Sequence, residues 1–154
     1  MLRHWLVSLA LLLAACALPR DPDGTSARIE STHQLRVGVT DNPPWVDAKS
    51  AEPKGIEPDL VRAFARQTGA QVAWSEGSET ELVKSLKDGE LDMVIGGFDK
   101  KTQWGSSAGV SQPYAEDADG KKRVMLAAPG ENRFILTLDK FLTAHMRATN
   151  GAQA

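Results

Sequence analysis

The alternation of apolar and polar residues predicts strands and helices that follow one another from residue 35 onward. Leu35–Val39 alternates with a period of two and is stopped by two prolines, which is typical of a strand running into a loop. Pro58–Thr68 has apolar residues at helical spacing and is followed by Gly69, which predicts an amphipathic helix. Val72–Trp74 then predicts a short second strand.

A second helix and a third strand complete this pattern. Ser78 and Glu81 have the spacing of a capping box, and apolar residues recur at helical spacing until Asp88-Gly89. Leu91–Gly97 is almost continuously apolar, as expected for a strand covered on both faces. The order strand, helix, strand, helix, strand implies a parallel sheet with right-handed crossovers.

Ligands of such sheets bind beyond the carboxyl ends of the strands. The loops Thr40–Trp45 and Gly96–Trp104 are therefore expected on one rim. Further along, Arg123–Ala128 predicts another strand and Phe134–Met146 the buried stripe of a last helix. We predict an α/β fold, a small, mostly parallel sheet flanked by helices.

The long apolar run lies at the start of the chain. Arg3 precedes Trp5–Ala15, which is short for a bilayer span but suits the core of a signal peptide. The run ends in Leu13-Ala14-Ala15-Cys16, which resembles the bacterial lipobox and implies that Cys16 carries a diacyl group and an N-acyl chain such as palmitate. The alternative is that Cys16 is a buried or free thiol.

These features predict three segments: a signal peptide over 1–15, a flexible tether over 16–33 that begins with lipidated Cys16, and a folded lobe over 34–150. The lipid would hold the protein at the periplasmic face of the cell envelope. Ala17, rather than an aspartate, follows the cysteine and slightly favours the outer membrane.

Composition limits the function classes. The chain has 154 residues, 42% of them hydrophobic and 25% charged, with a net charge of −2, which argues against disorder and against nucleic-acid binding. The three histidines lie far apart, and no nucleophile and base share a motif, so we predict no metal, no cofactor and no enzymatic activity. A general acid and base pair of Asp41 and Asp99 is the catalytic alternative.

Several short motifs occur in the order found in a known family. They are Leu35-Arg36-Val37-Gly38-Val39, Pro43-Pro44-Trp45, Gly55-Ile56-Glu57-Pro58-Asp59-Leu60, Gly89-Glu90-Leu91-Asp92, Gly96-Gly97 and Ser111-Gln112-Pro113-Tyr114. Together they resemble extracellular solute-binding protein family 3, whose members are periplasmic and serve amino-acid transport by ABC transporters. The resemblance implies a type II periplasmic-binding-protein fold and a small solute as ligand.

Two departures from the family are visible. Its members have two lobes, but here only residues 115–122 separate Tyr114 from the strand at Arg123, so we predict a single lobe. The family's amino-acid binders usually carry an arginine that grips the ligand carboxylate, and Trp104 stands at that position. Asp99 likewise stands where a threonine is frequent. Binding of an ordinary α-amino acid is therefore in doubt.

The rim loops contain aromatic and acidic residues suited to a small polar or cationic solute. The predicted ligand-binding residues are Asp41, Trp45, Gly97, Asp99, Trp104 and Tyr114. A half-cleft buries too little of a ligand for tight binding unless a partner closes it.

The alternative function is protein docking. Without a second lobe, Trp45, Phe98, Trp104 and Tyr114 would be partly exposed, and such aromatics anchor interfaces with a permease, another envelope protein or a second copy of the chain. The basic run Lys121-Lys122-Arg123 is interpreted as a solvated hairpin.

Overall fold

The computed structural model describes residues 21–151 as a mixed six-stranded sheet with helices on both faces. The strands are β1 (Gln34–Val39), β2 (Gln71–Glu76), β3 (Met93–Asp99), β4 (Gly109–Val110), β5 (Ala115–Glu116) and β6 (Lys122–Ala127). The helices are α1 (Thr25–Thr32), α2 (Ile56–Thr68), α3 (Glu79–Lys87) and α4 (Asn132–Gly151), with a short 3-10 helix at Gln103–Ser106. The predicted signal peptide and Cys16 lie outside the described residues.

The sheet has a parallel part and an antiparallel part. The strand order is β2-β1-β3-β6-β4, and β5 also pairs with β6. Strands β2, β1 and β3 are parallel, as the alternation of strands and helices predicts, whereas β6 runs antiparallel to β3, β4 and β5. The carboxyl ends of β1, β2 and β3 therefore share one edge of the sheet, which we call the rim.

Apolar side chains form a core on each face of the sheet. On one face, Phe64 of α2 packs between Phe134 and Phe141 of α4, with ring centroids 5.9 and 5.4 Å away. On the other face, the buried stripe of α3, which is Leu82, Val83 and Leu86, packs on Val94 and Phe98 of β3. Consecutive residues of β3 point to opposite faces of the sheet, and both faces are covered by helices. The whole apolar run of β3 is therefore buried.

The connection between Tyr114 and β6 is a hairpin. Residue Ala115 of β5 pairs with Arg123, and the turn closes where the Asp117 amide donates to the Lys121 carbonyl at 3.0 Å. The chain therefore returns directly into the sheet, and α4 packs on the same core. The predicted closure of a single lobe is confirmed.

The structure differs from the predicted tether in its last residues, because Thr25–Thr32 form α1. Polar residues dominate this helix and conceal its single apolar anchor, Ile29, which is buried against the core of the lobe. Arg28 also forms an ion pair with the fully buried Asp92. Helix formation here follows from tertiary contacts, which a search for apolar periodicity does not detect. No helix within residues 21–151 is both long and apolar enough to cross a bilayer.

Candidate functional site

The loop after β1 places Trp45 on the rim. Asn42 and Val46 pair across the turn, and the Asn42 amide nitrogen donates to the Gly96 carbonyl at 2.7 Å. The Trp45 carbonyl accepts from the backbone nitrogen of Glu57 at 3.0 Å, which ties the loop to the start of α2. The half-buried Trp45 ring meets Tyr114 edge to face, with centroids 6.1 Å apart.

Gly97 allows Trp45 to approach the end of β3. A Cβ atom at residue 97 would lie 2.6 Å from the Trp45 ring, and the Gly97 φ of +65° lies in the left-handed region that favours glycine. Gly97 and Tyr114 therefore both lie against Trp45 and form one cluster with it. The close contact with Trp45 and the positive φ angle explain why residue 97 is a glycine.

A buried carboxyl group, which no local sequence pattern points to, lies under this cluster. Glu57 is fully buried, accepts a 2.5 Å hydrogen bond from the Tyr114 hydroxyl and a 2.9 Å hydrogen bond from the Gly97 backbone nitrogen. Burial raises the pKa of Glu57 to about 7, against the opposing effect of these donors and of Arg123. Burial and the neighbouring Glu57 also raise the pKa of Tyr114 well above its usual value.

The interpretation of Arg123 as part of a solvated basic run is wrong. Its side chain is only 14% exposed, and its guanidinium carbon lies 5.1 Å from the centroid of the Trp45 ring. The guanidinium donates to the Gly97 carbonyl at 2.6 Å and forms an ion pair with Asp117. Pairing of Asp99 with Arg123 across β3 and β6 carries this arginine to the rim, and this pairing is not readable from the local charge pattern.

The second rim tryptophan lies apart from the first. The Trp104 indole nitrogen donates to the carboxylate of Glu79 at 2.8 Å, and the ring packs on the α3 face of the sheet. Trp45 packs against the core on the opposite face. The two tryptophans therefore flank the end of β3 from opposite faces. Glu79, which starts α3, joins the rim, although no sequence motif points to it.

The two predicted rim aspartates both serve turns. Asp41 is exposed and accepts from the Ala48 backbone nitrogen at 2.9 Å, while Asp99 accepts from the Lys101 backbone nitrogen at 2.7 Å. Each carboxylate keeps further acceptor capacity toward the solvent.

Two of the aromatics expected on an open docking face are covered. Phe98 and Tyr114 are only 5% and 6% exposed, because Phe98 packs on the α3 side and Tyr114 lies in the core on the α2 side. Trp45 and Trp104 are half-buried. The expectation that all four are partly exposed is therefore wrong for Phe98 and Tyr114.

Two other features bear on the site. Within residues 21–151, no group of three or more histidine, cysteine, aspartate or glutamate side chains is arranged to hold a metal ion. A groove of about 700 Å³ lies between α2 and α4, lined mainly by apolar residues such as Ile56, Leu142 and Met146. Of the predicted site residues, Tyr114 alone borders this groove.

Comparison with known proteins identifies the class. Residues 35–147 match the sequence profile of bacterial extracellular solute-binding proteins, family 3, and the chain belongs to this family. The fold is that of a lobe of amino-acid-binding proteins. Domain 1 of TmArgBP in its arginine-bound form superimposes with a TM-score of 0.69 at 20% identity, covering 76% of this chain and 97% of that one. A mutant of the same domain, also arginine-bound, gives a TM-score of 0.73 at 20% identity, covering 79% and 98%.

The curated relatives are longer proteins. Membrane-bound lytic murein transglycosylase F of Vibrio cholerae is 29% identical over 100 residues, which are 64% of this chain and 19% of that protein. The "Probable histidine-binding protein" of Campylobacter jejuni is 26% identical over 105 residues, which are 68% of this chain and 41% of that protein. The chain thus spans about a fifth and about two fifths of these relatives.

Proposed function

We propose that this chain is a lipid-anchored solute-recognition lobe of the bacterial envelope, without enzymatic activity, that binds a small polar or cationic solute on its rim and serves an ABC-type transporter. Family membership supports solute recognition. The observation that carries the choice of solute is the pair formed by Trp104 and Glu79. It presents an aromatic face and an exposed carboxylate at the place where the family's amino-acid binders usually have an arginine.

The chemistry of this pair favours a cation. A carboxylate attracts a positive charge, and an indole face adds about 0.5 to 2 kcal/mol of cation–π attraction. Asp99 lies on the turn that leads to Trp104 and adds a second carboxylate. Domain 1 of TmArgBP, which is a single lobe, is known in an arginine-bound form, which supports solute binding by a lobe without a partner.

Titration of the soluble fragment from residue 21 tests this proposal. Isothermal titration against putrescine, spermidine, glycine betaine, choline and several amino acids is expected to show binding of at least one cation. Glu79→Gln should weaken that binding by about ten- to a hundredfold, since a charge-assisted contact contributes roughly 1.5–3 kcal/mol. Glu90→Gln is the matched control, because Glu90 is an exposed glutamate just past the carboxyl end of α3. Absence of heat with every solute at millimolar concentration would overturn the proposal.

The lipid anchor is a separate part of the proposal. Leu13-Ala14-Ala15-Cys16 supports it through its likeness to a lipobox. Metabolic labelling with tagged palmitate is expected to label the wild-type protein and to leave Cys16→Ser unlabelled and unprocessed. Equal labelling of both proteins would contradict the anchor while leaving solute recognition untouched.

Protein docking stays the alternative prediction. Phe98 and Tyr114 are buried and cannot contact a partner, so the only aromatic side chains among the four that could anchor one are the half-buried Trp45 and Trp104. A docking lobe would not gain melting temperature with any solute and would respond only to a protein partner.

A further inference from the structure

Arg123 is held on the rim by contacts of the kind that a bound ligand receives. The Trp45 ring covers one face of the guanidinium at 5.1 Å, the Gly97 carbonyl accepts from Nη1 at 2.6 Å, and the Asp117 carboxylate pairs with Nη2. The aromatic face suits the planarity of a guanidinium, the carbonyl accepts from one of its donors, and the carboxylate accepts from another and balances its charge. Nε is buried and has no acceptor within the described part of the chain. The direct contacts of the guanidinium are therefore with these three groups, while the buried Glu57 carboxyl group interacts with it electrostatically.

The carboxylate of this set is fixed by its own loop. Asp117 Oδ1 accepts from the backbone nitrogens of Lys121 at 2.9 Å and Asp119 at 3.0 Å, which leaves Oδ2 for the guanidinium. These backbone donors, together with Arg123, keep the pKa of Asp117 below its usual value. Asp117 belongs to the hairpin that stands where two-lobed members of the family insert their second lobe. The hairpin thus brings the Asp117 carboxylate to the rim, where it pairs with Arg123.

Another arginine provides a comparison. Arg62 also lies over a tryptophan, Trp74, at 5.4 Å, but its side chain is 30% exposed. Its carboxylate partners, Glu52 and Asp59, are 75% and 77% exposed and therefore screened by water. Arg123 and Asp117 are only 14% and 17% exposed. Burial and a fixed carboxylate thus distinguish the Arg123 arrangement from an ordinary surface contact.

We propose that Trp45, Gly97 and Asp117 form a guanidinium-binding site, and that Arg123 occupies this site as a built-in ligand. The wild-type chain then excludes free guanidinium compounds from the Trp45 side of the rim. Removal of the Arg123 side chain should open the site to the guanidinium group of a small solute. The inference does not rest on solute binding at Trp104 and Glu79, which lie on the other face of the sheet.

Chemical rescue tests the site. The soluble fragment with Arg123→Ala is titrated with methylguanidinium, and with methylammonium as a cation of the same charge without the planar donors. We expect Arg123→Ala to bind methylguanidinium with a Kd on the order of millimolar and to gain a few degrees in melting temperature. Binding at Trp104 and Glu79 would be common to wild type and variant, so wild type should lack the additional binding and the additional gain in melting temperature, and the double variant Arg123→Ala with Asp117→Ala should lose both.

Arg62→Ala is the matched control, since it also removes a guanidinium from a tryptophan face. Three results would each overturn the inference. Methylguanidinium could bind and stabilise Arg62→Ala to the same extent, methylammonium could bind and stabilise Arg123→Ala equally well, or a folded Arg123→Ala variant could fail to bind methylguanidinium. If Arg123→Ala does not fold, Arg123→Val replaces it, because a β-branched residue suits strand β6. If Glu79→Gln did not weaken solute binding, the methylguanidinium result would be unaffected. The solute-binding proposal and the guanidinium-site proposal can therefore fail separately.

Discussion

At the scale of single residues, Glu57 makes the rim sensitive to pH. Its carboxyl group has a pKa of 4.5 when fully solvated and a pKa of about 7 in the fold, because burial disfavours the charge. The folded state therefore binds the proton more tightly than the unfolded state. The resulting stabilisation is complete below pH 4.5 and is lost as the pH rises through 7.

We predict that the free energy of unfolding, measured by urea titration, falls by about 3 kcal/mol between pH 4.5 and pH 8 because of this group. Glu57→Gln keeps an acceptor for the Gly97 nitrogen but does not titrate, so its stability should vary less over the same range. Glu76→Gln, at an exposed position at the end of β2, is the control and should follow wild type. Parallel curves for Glu57→Gln and wild type would contradict the assignment.

The residues of the rim differ in how far the sequence reveals them. Trp45, Gly97 and Tyr114 belong to motifs, and the predicted sheet places the loops of Trp45 and Gly97 on one rim, whereas the contact of Tyr114 with Trp45 is visible only in the structure. Glu57 and Arg123 do not stand out, because a charged residue in the first turn of a helix or in a basic run is normally solvated. Their burial depends on which strand lies beside β3, and this is a nonlocal pairing.

At the scale of elements, α1 is the part that the sequence pattern does not predict. Its N-cap residue, Gly24, has no side chain to bind the first backbone nitrogens of the helix. The fully buried Glu131, just before α4, supplies the missing acceptors to Asp23 at 2.8 Å and Thr25 at 2.9 Å. The Asp21 carboxylate accepts from the next backbone nitrogen, that of Ser26, at 3.0 Å. The cap of α1 is thus shared between a local residue and one more than a hundred positions away in sequence.

We predict that Glu131→Gln frees α1 from the lobe, because the amide retains one acceptor oxygen and loses the charge. The expected cost is about 1–3 kcal/mol, and it should fall on α1 rather than on the whole fold. Hydrogen exchange of residues 25–32 should accelerate, while exchange in β1 and β3 stays slow. Glu30→Gln, an exposed substitution in the same helix, should change nothing; unchanged protection of α1 in Glu131→Gln would refute the cap.

At the scale of the whole molecule, α1 and the rim lie at opposite edges of the sheet. Asp92, which pairs with Arg28, comes directly before Met93, the first residue of β3. Glu131 follows β6, whose last residue, Ala127, pairs with Met93. Both contacts of α1 therefore lie at the start of β3. The rim begins at the other end of β3, at Gly97. The chain therefore enters the lobe at the edge opposite the proposed solute site.

This arrangement sets the orientation of the lobe if Cys16 carries the lipid, as proposed. Five residues lead from Cys16 to Asp21, a reach of at most about 18 Å. A folded unit of this size has a radius of gyration of about 14 Å, so the lobe is roughly 36 Å across. An anchor of this reach, attached at the α1 edge, keeps the rim on the side facing away from the membrane.

Energy transfer from a dye on the protein to an acceptor lipid measures this orientation. In lipidated protein reconstituted into vesicles, a dye on Glu30→Cys in α1 should transfer energy more efficiently than a dye on Lys101→Cys at the rim, because both positions are exposed but lie at opposite edges. Insertion of ten glycine and serine residues after Ala17 should reduce the difference by lengthening the tether. Equal transfer from both dyes without the insertion would show that the lobe lies on its side, and the rim would then be within reach of a protein embedded in the same membrane.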